Sequence, residues 1–197
     1  MKIVDHDQRR LEVAEAAARI IAEQGMEALT TRRIARELAC SLGVLSHYFE
    51  TKDEIVLAAL NWAEQRIEGR FVAAARGAIS LDTFKPLVIN VLPLDKQAEL
   101  EWRVRLNLST YALTHPKVLR EQREKLLAGY QFTRDLIERL QAEGQIAKDI
   151  DADDVSKNIV DITAGLANNL LILPMKDRKN HVEFIDRYWE LLRPAGR

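Results

Sequence analysis

Along the chain, apolar residues recur at intervals of three and four, the period of helices with one buried face. Leu11, Ala14, Ala18 and Ile21 line such a face in a first helix. Asp5 or Asp7 caps its start and Gly25 offers a left-handed stop. Thr30 or Thr31 caps a short second helix that turns Ile34, Ala35 and Leu38 inward. Ser41 caps a third, with Leu45 and Phe49 as its buried residues. Thr51 caps a fourth, and Glu54 three positions on completes a capping box. That helix runs through Ile55, Ala59 and Trp62 to about Phe71. Helical patterns then cover 81–92, 95–114 and 117–142, the last stopped by Gly144. Another starts at Asp151 or Asp153 and reaches Leu173, and the final one starts at Asp177 or Asn180 and ends before Pro194. The prolines are expected between helices, where a missing amide hydrogen does least harm. No strand, repeat or low-complexity stretch interrupts the pattern, so the fold class is all-α.

The lengths of these elements carry information. Three helices in the first fifty residues are too short to be stable alone and must pack on one another. The second and third, about 31–38 and 42–48, are joined by a three-residue turn. That is the helix-turn-helix format, in which the second helix lies in the DNA major groove. The expected division is residues 1–52 as this small domain and 53–197 as a second, helical one, with a long fourth helix coupling the two.

Composition narrows the field. The 197 residues are 47% hydrophobic and 30% charged, enough for a core and too balanced for disorder. The formal net charge is -1, so any nucleic-acid site must be local. Arg32, Arg33 and Arg36, with Arg9, Arg10 and Lys52, are candidates for a basic rim. On charge alone, solvated surface paired with Glu37 and its neighbours is the simpler reading. The only cysteine, Cys40, excludes a disulfide within the chain and reads as a small buried residue. No signal-peptide core or bilayer-length apolar run is present, which points to a cytoplasmic protein with no membrane partner.

Enzyme chemistry finds no support. A two-metal carboxylate site in a helical bundle needs Glu-x-x-His pairs, but the residues three before His6, His47, His115 and His181 are Ile3, Val44, Ala112 and Arg178. Phosphate-binding loops, zinc-spaced cysteines and nucleophile elbows are also missing. No catalytic residue, metal ligand or cofactor is expected.

The order of residues from 12 to 60, EVAEAAARIIAEQGMEALTTRRIARELACSLGVLSHYFETKDEIVLAAL, strongly resembles the N-terminal DNA-binding domain of the TetR family of transcriptional repressors. The likeness rests on the glycine after the first helix, the Thr-Thr cap, Ile34-Ala35, Gly43, His-Tyr-Phe and the lysine opening the next helix. The form SHYF looks most like the BetI-type branch, whose members respond to choline-related metabolites. One departure is Ala39, where the family usually has glycine in the turn. A positive φ there costs a non-glycine residue roughly 1 kcal/mol.

The resemblance implies a ligand-responsive regulator, acting as a repressor on a palindromic double-stranded DNA operator. Leu42, Gly43, Val44 and Ser46 then face base edges. Small and apolar side chains cannot make bidentate hydrogen bonds to bases, but they touch thymine methyl groups. His47, Tyr48, Lys52 and Thr31 suit phosphate oxygens, and Arg32 suits a base or a further phosphate. A module of this size needs two half-sites, hence a homodimer. Its surface is expected on the last two helices, at Ile159, Ile162, Leu166 and Leu170 and at Phe184, Tyr188 and Leu192. Between lies the expected pocket for an unidentified small-molecule effector, with Trp62, Phe71, Trp102, Leu106, Asn107, Tyr111 and Phe132 as its lining. Core packing is the competing reading for each of these seven. A helical adaptor that has lost DNA binding is the alternative function, with a helical-bundle enzyme behind it.

Overall fold

In the computed structural model the described residues are 6–74 and 80–194, with side chains described for 6–71 and 80–194. Nine α-helices follow one another among them. They are α1 (His6–Gln24), α2 (Thr31–Glu37), α3 (Leu42–Tyr48), α4 (Lys52–Ala74), α5 (Leu81–Asn90), α6 (Lys96–Ala112), α7 (Pro116–Ala142), α8 (Ala152–Ile172) and α9 (Phe184–Leu191). Short 3-10 segments, Met26–Ala28 and Met175–Val182, follow α1 and α8. The chain forms two compact units, one of Met1–Ile67 with Leu100–Gln122 and one of Glu68–Glu99 with Arg123–Arg197.

The first unit is built on small residues. Ala14, Ala17, Ala18 and Ala22 of α1 are buried with Val13, Ile20 and Ile21, so α1 is covered around much of its circumference. Leu11, assigned to its inner face, is instead exposed. Residues so small let α1 sit close to Ile34, Leu45, Phe49, Ile55 and Leu60 of the next three helices. Val104, Leu108 and Ala112 of α6 and Val118 of α7 belong to the same core. The hydrophobic floor of the short helices therefore comes partly from residues some sixty positions further along.

Local signals set most helix ends. Thr30, not Thr31, caps α2 by accepting from the Arg33 amide at 3.1 Å. Ser41 caps α3 from the Val44 amide at 3.2 Å. Asp151 caps α8. Thr51 accepts from the Glu54 amide, while the Glu54 carboxylate reaches back one residue further than a capping box, to the Glu50 amide at 2.9 Å. Asp7 lies in the first turn of α1, and the alternative cap, Asp5, lies outside the described residues. Gly25 has φ 81 with an extended ψ of 174.

Two helices end in the same motif with different residues. After α2, Cys40 N–H donates to Ala35 C=O and Ala39 N–H to Arg36 C=O. After α7, Gln145 N–H donates to Leu140 C=O and Gly144 N–H to Gln141 C=O. Both are the paired 6→1 and 5→2 bonds that require a left-handed residue. Gly144 takes it at φ 73 and Ala39 at φ 48. The turn between α2 and α3 thus has the glycine geometry without the glycine.

In the second unit Phe84, Leu87, Leu136, Ile137, Leu140, Ile159, Leu170, Ile185 and Trp189 are buried. The Trp189 indole N–H donates to Leu81 C=O at 2.9 Å, and the Phe84 and Trp189 rings lie 5.5 Å apart, which fastens α9 to α5. Lys85–Asp186 and Arg193–Asp82 ion pairs border that contact. Two expectations fail here. Pro86 lies inside α5, not between helices. The final α-helix starts at Phe184 because 175–182 winds as a tighter 3-10 segment. Its buried Arg178 donates to Leu173 C=O at 3.1 Å and Pro93 C=O at 2.8 Å, and sits 3.4 Å from the Glu99 carboxylate. A long-range anchor of this kind overrides a local start signal.

Candidate nucleic-acid interface

The face of α3 follows from what holds its other side. Leu45 and Phe49 are buried in the core. Arg10 of α1 donates to the Tyr48 carbonyl, and its guanidinium lies 4.3 Å from the centre of the Phe49 ring. A cation on the last carbonyls complements the negative end of the helix. With that side fixed, Leu42 (47% exposed), Gly43, Val44 (39% exposed), Ser46 and His47 turn to solvent. Tyr48 is half-buried. Its ring lies 5.2 Å from His47 and 4.9 Å from His6 at the start of α1. His6 carried no signal in the sequence, because only the packing of α1 against α3 brings it there.

Glycine at 43 has no internal cause. A Cβ there would meet nothing closer than Ser41 Oγ at 3.8 Å, an ordinary contact. In a helix glycine is less favourable than alanine by roughly 0.5–1 kcal/mol. The Ser46 hydroxyl folds back onto Gly43 C=O at 3.1 Å.

The basic rim is smaller than the sequence suggests. Arg9 pairs with Glu12 at 2.6 Å, and that bond raises its pKa above the ordinary arginine value. Arg10 is the α3 clasp just described. Both serve the scaffold. Arg32 and Arg36 are exposed and Arg33 half-buried, and none of the three forms an ion pair among the described residues. Together with Thr30 and Thr31 they border an open concavity on α2. Lys52, exposed at the first residue of α4, has its Nζ 3.5 Å from Met26 C=O and 5.9 Å from the centre of the Tyr111 ring. Cys40 is half-buried, not buried as expected, because it ends the turn.

Behind Lys52, α4 is braced to α6. The Tyr111 hydroxyl donates to Asp53 at 2.8 Å. Burial, together with that bond and the carboxylate charge, pushes the phenol up to about 12. Further along, two arginines cross over. Arg66 lies on the Trp62 ring at 4.7 Å and pairs with the buried Glu101 of α6 at 3.5 Å. Arg105 lies on the Trp102 ring at 4.4 Å and pairs with Glu64 of α4 at 3.0 Å. Trp62 and Trp102 are both buried.

The remaining residues assigned to the effector pocket are dispersed. Asn107 donates to Arg103 C=O at 2.9 Å. With Tyr111 it lines an open cleft of about 960 Å3, solvent included, beside Gly25 and Met26. Leu106 and Phe132 are exposed. Phe71 meets Phe132 edge-to-face at 5.5 Å and Phe84 at 6.3 Å.

Of the residues assigned to a dimer surface, Ile159, Leu170 and Leu192 are buried within the chain's own core and so are not offered to a partner. Ile162, Leu166, Phe184 and Tyr188 remain outward. They border a narrow apolar groove between α8 and α9, floored by Ile159, Ile185 and Trp189. Among the described residues no helix is long and apolar enough to cross a membrane, and no group of three or more His, Cys, Asp or Glu side chains is placed to hold a metal.

Comparison with known proteins bears on this arrangement twice. Residues 13–59 match the family described as bacterial regulatory proteins, tetR family, and residues 82–193 match the BetI-type transcriptional repressor C-terminal domain. The chain is similar to the HTH-type transcriptional regulator PksA of Bacillus subtilis (strain 168), 27% identical over 183 residues, covering 92% of this chain and 88% of that one. It is 33% identical over 70 residues to the HTH-type transcriptional regulator BetI of Rhizobium meliloti (strain 1021), covering 36% of this chain and 34% of that one. A Saccharomonospora viridis protein solved in complex with choline superposes with a TM-score of 0.80 at 25% identity, over 91% of this chain and 96% of that one. With its helix-turn-helix and its matching C-terminal half, the chain belongs to the TetR family of DNA-binding transcriptional regulators, not to an enzyme family, and carries a BetI-type C-terminal domain.

Proposed function

We propose that this regulator is a cytoplasmic repressor that binds a palindromic operator as a homodimer and leaves it when a small molecule binds. The observation that carries the DNA side is the outward face of α3, with exposed Leu42 and Val44 about a glycine the fold does not need. Residues 1–52 contact DNA and 53–197 bind effector and partner. Leu42, Gly43, Val44 and Ser46 enter the major groove. Thr31, His47, Tyr48 and Lys52 hold phosphates, and Arg32 holds a phosphate or a base. Ile162, Leu166, Phe184 and Tyr188 form the centre of the dimer surface, which sets the two α3 helices about one helical turn, roughly 34–36 Å, apart.

The effector acts where α4 and α6 are braced. The choline complex of the Saccharomonospora viridis protein makes quaternary ammonium compounds the first class to test. In this chain the Trp62 and Trp102 faces that attract such a cation already hold the guanidinium groups of Arg66 and Arg105. A quaternary ammonium displaces them, breaks the Arg66–Glu101 and Arg105–Glu64 pairs, and loosens α4 from α6. Because α4 begins at Lys52, its shift changes the fit to DNA, and a coupling of about 1–3 kcal/mol is the expected size.

The test is an operator titration with and without choline and related compounds. Operator duplexes are first selected from a random library. The parent should release DNA on adding effector, and Trp102→Ala should bind DNA normally without that response. A Trp102→Ala protein released at the parent's effector concentration would sink the effector assignment. Failure to select any duplex would sink the repressor reading.

A further inference from the structure

Resting on the reading of α3 as the recognition helix, we propose that Leu42 and Val44 read thymine methyl groups on two different base pairs, with Gly43 as the gap that lets the helix backbone approach between them. At about 100° per residue, the buried Leu45 defines the inward direction. Gly43 and His47 then point most directly outward. Leu42 and Val44 lie on opposite flanks, each roughly 100° from that centre. Side chains so far apart reach different base pairs.

Apart from the His47 imidazole, assigned above to a phosphate, the hydrogen-bonding inventory of this face is nearly empty. The side chains of Leu42 and Val44 neither donate nor accept, and Gly43 has none. The Val44 amide is held by Ser41 Oγ at 3.2 Å. The Ser46 hydroxyl donates to Gly43 C=O at 3.1 Å and keeps only acceptor lone pairs. Guanine presents two acceptors in the major groove and adenine an acceptor beside a donor, so the tip of α3 lacks the donors that bidentate recognition of either purine needs. The one apolar feature in that groove is the C5-methyl of thymine. Leu42 and Val44 stay exposed in the free protein, so their apolar surface is open to such a contact. The empty space at Gly43 matches an approach that a Cβ would obstruct.

The experiment uses the full-length protein and a duplex selected from a random library. Each thymine is replaced in turn by deoxyuridine, which deletes only the methyl group. In each half-site two replacements, on different base pairs, should weaken binding about fourfold each. At those positions a 5-methylcytosine–guanine pair should bind better than cytosine–guanine. Leu42→Ala should abolish the response at one pair and Val44→Ala at the other. A selected duplex bound equally well with deoxyuridine at every position overturns the methyl readout while leaving DNA binding intact. Methyl sensitivity that persists in both variants assigns the readout to other residues and also overturns it. If no duplex is selected at all, the DNA-binding reading beneath it fails instead.

Discussion

Two surfaces of this protein leave large apolar side chains in solvent, and they do so differently. On α3, Leu42 and Val44 stand apart on either side of a glycine, with the cations of α2 that form no ion pair among the described residues on the same small domain. On α8 and α9, Ile162, Leu166, Phe184 and Tyr188 border one groove with a buried apolar layer beneath. Isolated apolar points suit a rigid, charged partner that offers single methyl groups. A continuous apolar strip suits a second strip of the same kind, as in an isologous dimer contact. Burial scales with contiguous area, so under the proposed function the strip would supply association energy and the points discrimination.

The largest effect should come from breaking the strip. Ile162→Asp would place an unpaired charge at the proposed interface. Monomers are expected by sedimentation, and operator affinity should fall by about 10²–10⁴ as the linkage of two half-sites is lost. An undisturbed dimer would move the interface elsewhere and remove one side of the comparison.

Next in size is Lys52→Ala. Loss of a phosphate contact should weaken binding to every duplex and reduce the salt slope by about 1. Unchanged binding across a salt series would show that Lys52 does not touch DNA.

A pair of turn and tip substitutions sharpens the comparison further. Gly43→Ala should raise stability by roughly 0.5–1 kcal/mol, read by chemical denaturation, yet lower operator affinity. Ala39→Gly should raise stability by less than about 1 kcal/mol, because relief of the left-handed alanine is partly offset by a freer unfolded chain. Operator affinity should stay near the parent's. If Gly43→Ala bound operator as well as the parent, close approach at that residue would be wrong.

A last change lies behind both surfaces. Tyr111→Phe removes the bond to Asp53, for a net loss of about 0.5–1.5 kcal/mol. The Tyr111 phenol is raised in the folded state to about 12, so the neutral form is the one the fold favours. Its contribution is full below the ordinary tyrosine pKa of about 10. It is lost as the pH rises from there through the folded value. Ultraviolet titration of tyrosinate should show a late-ionising group in the parent that is missing from Tyr111→Phe.

Much of this architecture was legible along the chain because its signals are local. Thr30, Ser41 and Asp151 cap helices within three residues of themselves. Ala39 stands out as a non-glycine in a turn whose geometry calls for positive φ, and φ is 48 there. The outward tip of α3 was expected from the resemblance to the TetR family, not from the helical period, and Leu42, Gly43, Val44 and Ser46 are all exposed. Other features were hidden, each for the same reason. The clasp of Arg10 on Tyr48 spans 38 positions, and the hold of Arg178 on Pro93 spans 85. No spacing rule within a helix announces such a partner. Arg9 and Arg10 were therefore only candidates for a DNA rim, with solvated surface the simpler reading, and packing shows both engaged within the fold.

The periods, caps and stops of the sequence determined an all-helical chain that opens with a helix-turn-helix. Each of those signals acts through the backbone within a few residues, where side-chain identity alone decides the geometry. Which apolar residues stay outside was decided only in three dimensions. Ile159 and Ile162 share one helix and the same side chain, yet the first is buried and the second exposed, although both line the groove they share with Ile185 and Trp189 of α9. The bracing of α4 on α6 is of this second kind. Trp62, Glu64 and Arg66 meet Glu101, Trp102 and Arg105 only after the intervening chain has folded back, when opposite charges in a partly buried site can find each other.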